Sequence, residues 1–205
     1  MNIVNMSEGT GSVVSRNYHH GALAEAMVDE ALTRVRALGA DQVSLRSIAS
    51  ALEVSPSAAY NHFSDKDDLL RAVGGRGLEA LDERMAAALA DFPDDTDDAA
   101  RARFSALGRA YLDFAIHDLH LFQLTFGPIC MAKDLPPHES GPYVKLTHAL
   151  DDLDHRGMLK LGIRPGLDLT VWAATHGMAT LLVEGMVPTE AVDGFMASMS
   201  SLIMG

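Results

Sequence analysis

Three groups of side chains in this chain could do chemistry. Asp113, His117 and His120 stand at i, i+4 and i+7, so a helix would bring a carboxylate and two imidazoles to one face, as a metal site requires. No cysteine and no second carboxylate cluster completes that set, so no metal and no cofactor is expected. His176 lies in Trp172-Ala173-Ala174-Thr175-His176-Gly177. An imidazole there could transfer a proton only beside a nucleophile, and neither a G-x-S-x-G elbow nor a phosphate-cradling G-x-x-x-x-G-K-[ST] loop is present. No catalytic residue is therefore expected, and the chain is read as a non-enzyme. Gly74-Gly75-Arg76-Gly77 with Ala80 imitates a dinucleotide fingerprint, but that fingerprint works only when a strand feeds it, and none precedes it here. The third group is the informative one. Ser57, Tyr60, Asn61 and His62 place hydroxyl, amide and imidazole groups in one short stretch, with Lys66 close behind. Such groups hydrogen-bond base edges, and an ammonium pairs with phosphate. Small Ala58 lets the backbone approach a surface closely.

These polar residues need a scaffold, and the flanking residues provide it. Leu45, Ile48, Ala49 and Leu52 recur at i, i+3, i+4 and i+7, the apolar face of a two-turn helix, with Ser44 as N-cap and Arg46 pointing away. Glu53-Val54-Ser55 breaks it. Ser55-Pro56 then starts a second short helix, because proline lacks the N–H that a helix start leaves unsatisfied. Ala59 and Phe63 share the buried side of that helix. Ser64 reads as the N-cap of a third helix, with Asp67 in capping-box relation. Lys66 opposes the macrodipole of this first turn, a mild cost that suits a residue kept for an anion. Two helices joined by about three or four residues form a helix-turn-helix.

The string Ile48-Ala49, Val54-Ser55, Tyr60-Asn61-His62-Phe63, Lys66 and Leu69-Leu70, extending back to Tyr18, resembles the TetR (AcrR-type) family of bacterial transcriptional regulators. The resemblance implies DNA contacts at Ser44, Arg46, Ser57, Ala58, Tyr60, Asn61, His62 and Lys66. Glu53 departs from the family pattern, which has glycine in the turn; a left-handed backbone there would cost glutamate on the order of 1 kcal/mol. Further on, Phe114 to Gly127 and the Trp172–Gly177 motif resemble the WHG-type C-terminal domain of the same family, although Asp118-Leu119 replaces its His-Pro pair. The resemblance implies a homodimer and a pocket for a small, largely apolar effector. Phe104, Tyr111, Phe114, Phe122, Phe126 and Trp172 are candidates for the walls, with Tyr111, Thr175 and His176 as polar groups.

Composition agrees with this reading. The 205 residues are 48% hydrophobic and carry a formal net charge of -12, which disfavours nonspecific binding of nucleic acid by the whole surface. Residues 1–77 hold seven basic against nine acidic residues and the remainder nine against nineteen, so the acid load lies away from the reading helices. Cys130 is the single cysteine and reads as a small buried hydrophobe. With no run long enough to span a bilayer and no leader pattern, the expected setting is cytoplasmic, without a membrane partner.

The fold class expected is all-α, with about nine helices. Residues 1–17 form a flexible arm, 18–65 a three-helix helix-turn-helix DNA-binding domain, and 66–205 a helical effector-binding and dimerisation bundle. Within it, Gly74 to Gly77 interrupt a helix over 65–90, residues 128–142 form a loop, and a helix begins at Val144. The nearly uncharged stretch from Val171 to Val183 is expected to be buried against a second copy. The function expected is a ligand-responsive repressor that leaves a palindromic operator in double-stranded DNA. A helical-bundle small-molecule-binding protein or enzyme with a vestigial helix-turn-helix stays open as an alternative.

Overall fold

The computed structural model describes the backbone of residues 12–131 and 140–205, and side chains over 21–130 and 140–205. The chain divides into two compact units, Met1–Val73 and Gly74–Gly205. Among the described residues it is helical, with no strand and a single bridge between Leu159 and Met204. No described helix is long and apolar enough to cross a membrane.

The first unit holds α1 (Ser12–Leu38), a single 3-10 turn (Ala40–Gln42), α2 (Leu45–Ala51), α3 (Pro56–Tyr60) and the start of α4 (Lys66–Ala90). Helix α1 begins ahead of the expected Tyr18, and the rest of the expected arm lies outside the described residues. Met27, Val28, Ala31 and Val35 form its buried face, and Gly39 ends it at φ 86°, where a side chain would be strained. Ser44 caps α2 through a reciprocal box: its Oγ accepts from Ser47 N–H at 3.1 Å, and Ser47 Oγ accepts from Ser44 N–H at 3.3 Å. Ser55 caps α3 by accepting from Ala58 N–H at 3.1 Å, with Pro56 in the first helical position. The start of α4 corrects the expected pairing of Ser64 with Asp67. Asp65 Oδ1 accepts from Asp68 N–H at 2.8 Å, while Asp68 Oδ2 accepts from Ser64 N–H at 3.0 Å. Aspartate caps as well as serine does, so the cap falls on Asp65, while the return bond from Asp68 goes to the residue before it.

Helix α4 runs unbroken through Gly74, Gly75 and Gly77, contrary to the expected interruption. The glycines instead permit close packing. A Cβ at Gly74 would collide with Cys130 Sγ, and one at Gly77 with Thr125 Oγ1, with Thr125 Cβ at 3.1 Å and Leu121 Cδ1 at 3.3 Å. Backbone hydrogen bonds continue whether or not a side chain is present, so small residues at a helix contact let a neighbour in without breaking the helix.

The second unit continues with α5 (Asp97–His117), α6 (Leu119–Thr125), α7 (Pro128–Met131), α8 (Gly141–His155), α9 (Leu167–Val183) and α10 (Ala191–Ile203). Ten α-helices are thus described where about nine were expected. Helix α5 is the hub, packing against α6, α8, α9 and α10. Its Phe104 joins Leu146, Leu150, Leu153, Val171, Met199 and Ile203 in one buried cluster. Asp118, between α5 and α6, adopts φ -118° and ψ 44°, which ends one helix and starts the next without a proline. The expected loop over 128–142 holds the one-turn α7, and α8 starts at Gly141 rather than Val144, because Pro142 is tolerated in a first turn. Residues 132–139 lie outside the described set. Arg103 ties the α4–α5 connection to α8, donating to the carbonyls of Phe92 (3.0 Å) and Asp94 (2.8 Å) and to Asp152 Oδ2 (2.9 Å). Arg156 grips the other oxygen of Asp152 at 2.8 Å.

Candidate nucleic-acid interface and ligand cavity

Helices α2 and α3 turn their apolar residues inward and their polar residues out. Leu45, Ile48, Ala49, Ala59 and Phe63 are buried, whereas Ser44, Arg46, Ser57, Tyr60 and Asn61 are exposed and Ala58, His62 and Lys66 half-buried. Helix α3 has only five residues, so its polar tip stands clear of the supporting helices. The turn between α2 and α3 passes through Glu53 at φ 55°. This is the left-handed conformation that the departure from glycine made questionable, held by Glu53 N–H to Ser50 O at 3.2 Å and Val54 N–H to Ala49 O at 3.0 Å. Lys66 Nζ donates to the Asp41 carbonyl at 3.2 Å, which fixes the ammonium beside the start of α2 rather than leaving it on a loose tether. The Ser44 hydroxyl is held within the α2 cap.

In the second unit an aromatic cluster surrounds one polar pair. Tyr111 on α5 is buried and its hydroxyl lies 2.9 Å from His176 Nδ1 on α9. Around the Tyr111 ring, Trp172 lies at 5.2 Å, Phe126 at 5.7 Å and Phe122 at 6.1 Å between centroids, separations at which edge and tilted contacts are favourable. Burial pushes the Tyr111 phenol up and the His176 imidazole down, so both are neutral at pH 7. A protonated phenol buried here needs an acceptor, and His176 Nδ1 is the one that the structure offers it. The imidazole is therefore the Nε2–H tautomer, with its second nitrogen a donor.

A cavity of about 160 Å³ adjoins this pair, lined by Phe122, Gln123, Phe126, His176, Thr180 and Glu184. Phe122 is buried, while Gln123 and Glu184 are exposed, which puts the aromatic floor inside and the polar rim outside. A wider groove of about 510 Å³ runs between α4 and α5, with Arg84, Asp91, Arg109 and Asp113 on its walls. Its charges balance, and Arg109 is already paired with Asp193.

Of the expected effector residues, the structure brings together Tyr111, Phe122, Phe126, Trp172 and His176. Phe114 stands one ring further out, edge-on to Phe122 at 6.3 Å and under the Arg84 guanidinium. Phe104 belongs to the separate cluster with Leu150 and Leu153, and Thr175 is buried on α9. Gln123, Thr180 and Glu184 were missed, although His176, Thr180 and Glu184 fall at i, i+4 and i+8 and so share a helical face. Tyr143 was missed too: its ring lies 5.5 Å from Trp172 and its hydroxyl donates to Asp168 at 3.2 Å. His117 spends Nδ1 on the Asp113 carbonyl at 2.8 Å, and among the described residues no group of three or more His, Cys, Asp or Glu could hold a metal.

Two family models match the chain. One described as bacterial regulatory proteins of the tetR family covers residues 29–73, and one described as the tetracyclin repressor-like C-terminal domain covers 104–202. No curated protein matches. Among solved structures, a protein with unknown function from Rhodococcus sp. RHA1 is 29% identical with a TM-score of 0.67, the match covering 90% of this chain and 95% of that one. RolR, solved in complex with resorcinol, is 18% identical with a TM-score of 0.65 over 92% and 90% of the two chains. A TetR-family transcriptional regulator from Pectobacterium atrosepticum is 18% identical, with a TM-score of 0.63 and 93% of each chain covered.

Proposed function

This chain belongs to the TetR family of bacterial regulatory proteins, and we propose that it is a homodimeric repressor that leaves a palindromic operator when a small, largely apolar effector binds. The observation that carries the reading is the division of labour in α2 and α3: Leu45, Ile48, Ala49 and Ala59 are buried, while Arg46, Ser57, Tyr60 and Asn61 face solvent. A short helix with an exposed polar tip fits a major groove, where tyrosine, asparagine and serine read base edges and Arg46 and Lys66 meet phosphates. With so few cations on this unit, affinity has to come from placed contacts and from two copies acting together.

The outer face of α9 supports the dimer. Leu169, Ala173, Gly177 and Leu181 follow one another at steps of four, and all are exposed, with Leu169 63% and Leu181 39% accessible. An apolar stripe with small residues at its centre suits close approach of a second copy by a two-fold axis. Two reading heads must then stand about one helical turn of DNA apart, or a multiple of it. The aromatic cluster around Tyr111 and His176 supports an effector site, and the resorcinol held by RolR supports a ligand-holding role for this bundle. An effector that prefers a different head spacing releases DNA in proportion to its differential affinity for the two states.

The test is selection of bound sequences from a random DNA pool by the full chain, at about 0.15 M salt. The expected result is one enriched inverted repeat, bound at least tenfold more weakly by Asn61→Ala and with a shallower salt dependence by Lys66→Ala. A folded dimer that enriches no sequence would overturn the reading in favour of a ligand-binding or catalytic bundle.

A further inference from the structure

The cavity beside His176 is specific enough to name the class of its ligand, an inference that rests on the effector reading above. Its volume of about 160 Å³ is below the roughly 300 Å³ at which sites for drug-sized ligands begin, and close to the roughly 150 Å³ that suffices for benzene in an apolar protein cavity. One ring fills it. Two walls are the rings of Phe122 and Phe126, 5.1 Å apart between centroids and tilted by 50°. A planar guest is therefore met by ring faces and edges.

Polarity narrows the class further. Tyr111 occupies His176 Nδ1, so the proton of the neutral imidazole is on Nε2, and the residue offers one donor and no acceptor. The ligand must bring an acceptor. No lysine or arginine lines the cavity, whereas the Glu184 carboxylate does, so an anionic acceptor is disfavoured. The Gln123 amide oxygen and the Glu184 carboxylate on the rim can accept a hydrogen bond that the ligand donates. An uncharged hydroxyl on an aromatic ring meets both demands, since it accepts through oxygen and donates through hydrogen.

We propose that this cavity binds a neutral single-ring phenol, its ring against Phe122 and Phe126 and its oxygen accepting from His176 Nε2–H.

The test is a titration of the full-length protein followed by fluorescence of Trp172, the single tryptophan, whose ring lies 6.2 Å from Phe126. The probes are phenol, toluene, benzoate and benzylamine. Phenol is expected to bind tighter than toluene by about threefold to tenfold, the worth of one neutral hydrogen bond, and benzoate to bind weakest. His176→Phe should erase the preference for phenol over toluene. Should that variant fail to fold, Glu184→Gln on the exposed rim serves instead: it should bring benzoate up by severalfold, while phenol, whose hydroxyl the amide oxygen still accepts, changes by less than benzoate does. Equal affinity for phenol and toluene, benzoate binding as well as phenol, or no effect of Glu184→Gln on benzoate overturns the proposal. Failures of the two readings separate. Phenol that binds as described without releasing operator DNA leaves this inference standing and refutes the regulatory role of the site. DNA release by a different chemical class, abolished by Phe126→Ala, refutes the phenol and keeps the effector site.

Discussion

Gly75 and Gly77 sit two residues apart in α4 and should respond to alanine with opposite signs. Gly75 is exposed, and a Cβ there would meet nothing within 4 Å, so Gly75→Ala gains helix propensity of up to about 1 kcal/mol. Gly77→Ala has the same propensity gain, but its methyl would land on Thr125 Oγ1 and within 3.3 Å of Leu121 Cδ1. Thr125 cannot readily swing away, because it is buried and its hydroxyl donates to the Leu121 carbonyl at 2.7 Å. Overpacking of this kind costs about 1–3 kcal/mol, and displacing the hydroxyl adds about 1 kcal/mol for the lost hydrogen bond. Gly77→Ala should therefore lie about 2–4 kcal/mol below Gly75→Ala, the difference being the two penalties alone. Urea unfolding followed by Trp172 fluorescence reads the unit that contains both sites. Thr125→Ala in the Gly77→Ala background removes the colliding oxygen, and the double-mutant cycle should return about 1 kcal/mol or more of favourable coupling. If Gly77→Ala proves as stable as Gly75→Ala, or if the cycle gives no coupling, the close approach of α6 to α4 is wrong.

Three further outcomes are expected. Glu53→Gly relieves the left-handed strain, about 1–2 kcal/mol, against a larger unfolded-state entropy of about 0.4–1 kcal/mol; amide exchange in α2 should slow by about two- to fivefold, whereas Glu53→Ala should show no gain. For Asp152, partial burial pushes the carboxyl up, but hydrogen bonds from Arg103 and Arg156 outweigh it and hold the group below its ordinary value. Its contribution is thus complete above the ordinary aspartate range near pH 3.9 and is lost as pH falls through the depressed folded value; stability curves from pH 5 downward should fall less steeply for Asp152→Asn. Leu181→Glu, on the exposed stripe of α9, should yield a folded monomer by sedimentation with an unchanged helical spectrum, and an unchanged dimer would remove that stripe from the interface.

Local hydrogen bonding made the first unit legible. Ser44, Ser55 and Pro56 each act within one helical turn, so their types alone set the helix starts, and the spacing of Leu45, Ile48 and Ala49 set the buried side. The misreadings arose where two local solutions compete or where the deciding partner is distant in sequence. Ser64 and Asp65 are both good N-caps, and only the geometry of Asp68 chooses between them. Gly74 and Gly77 look like helix breakers because glycine is unfavourable in an isolated helix; Cys130 and Thr125, some fifty residues away, make them packing residues.

The candidate cavity shows the same limit at the level of chemistry. Tyr111 and His176 could be singled out as polar groups among aromatics, but their roles depend on each other across 65 positions. Burial keeps the phenol protonated, the phenol occupies Nδ1, and the proton left on Nε2 makes His176 a donor toward the cavity. None of these steps is visible at either residue alone. The spacing of His176, Thr180 and Glu184 was readable in advance, yet it acquires meaning only once Phe122 on α6 and Phe126 at its C-cap close the opposite wall. The ring that binds between those walls and the glycine contacts of α4 therefore meet on the same short helix and its cap: Phe122 and the C-cap Phe126 adjoin the cavity, while Leu121 and Thr125 face Gly77.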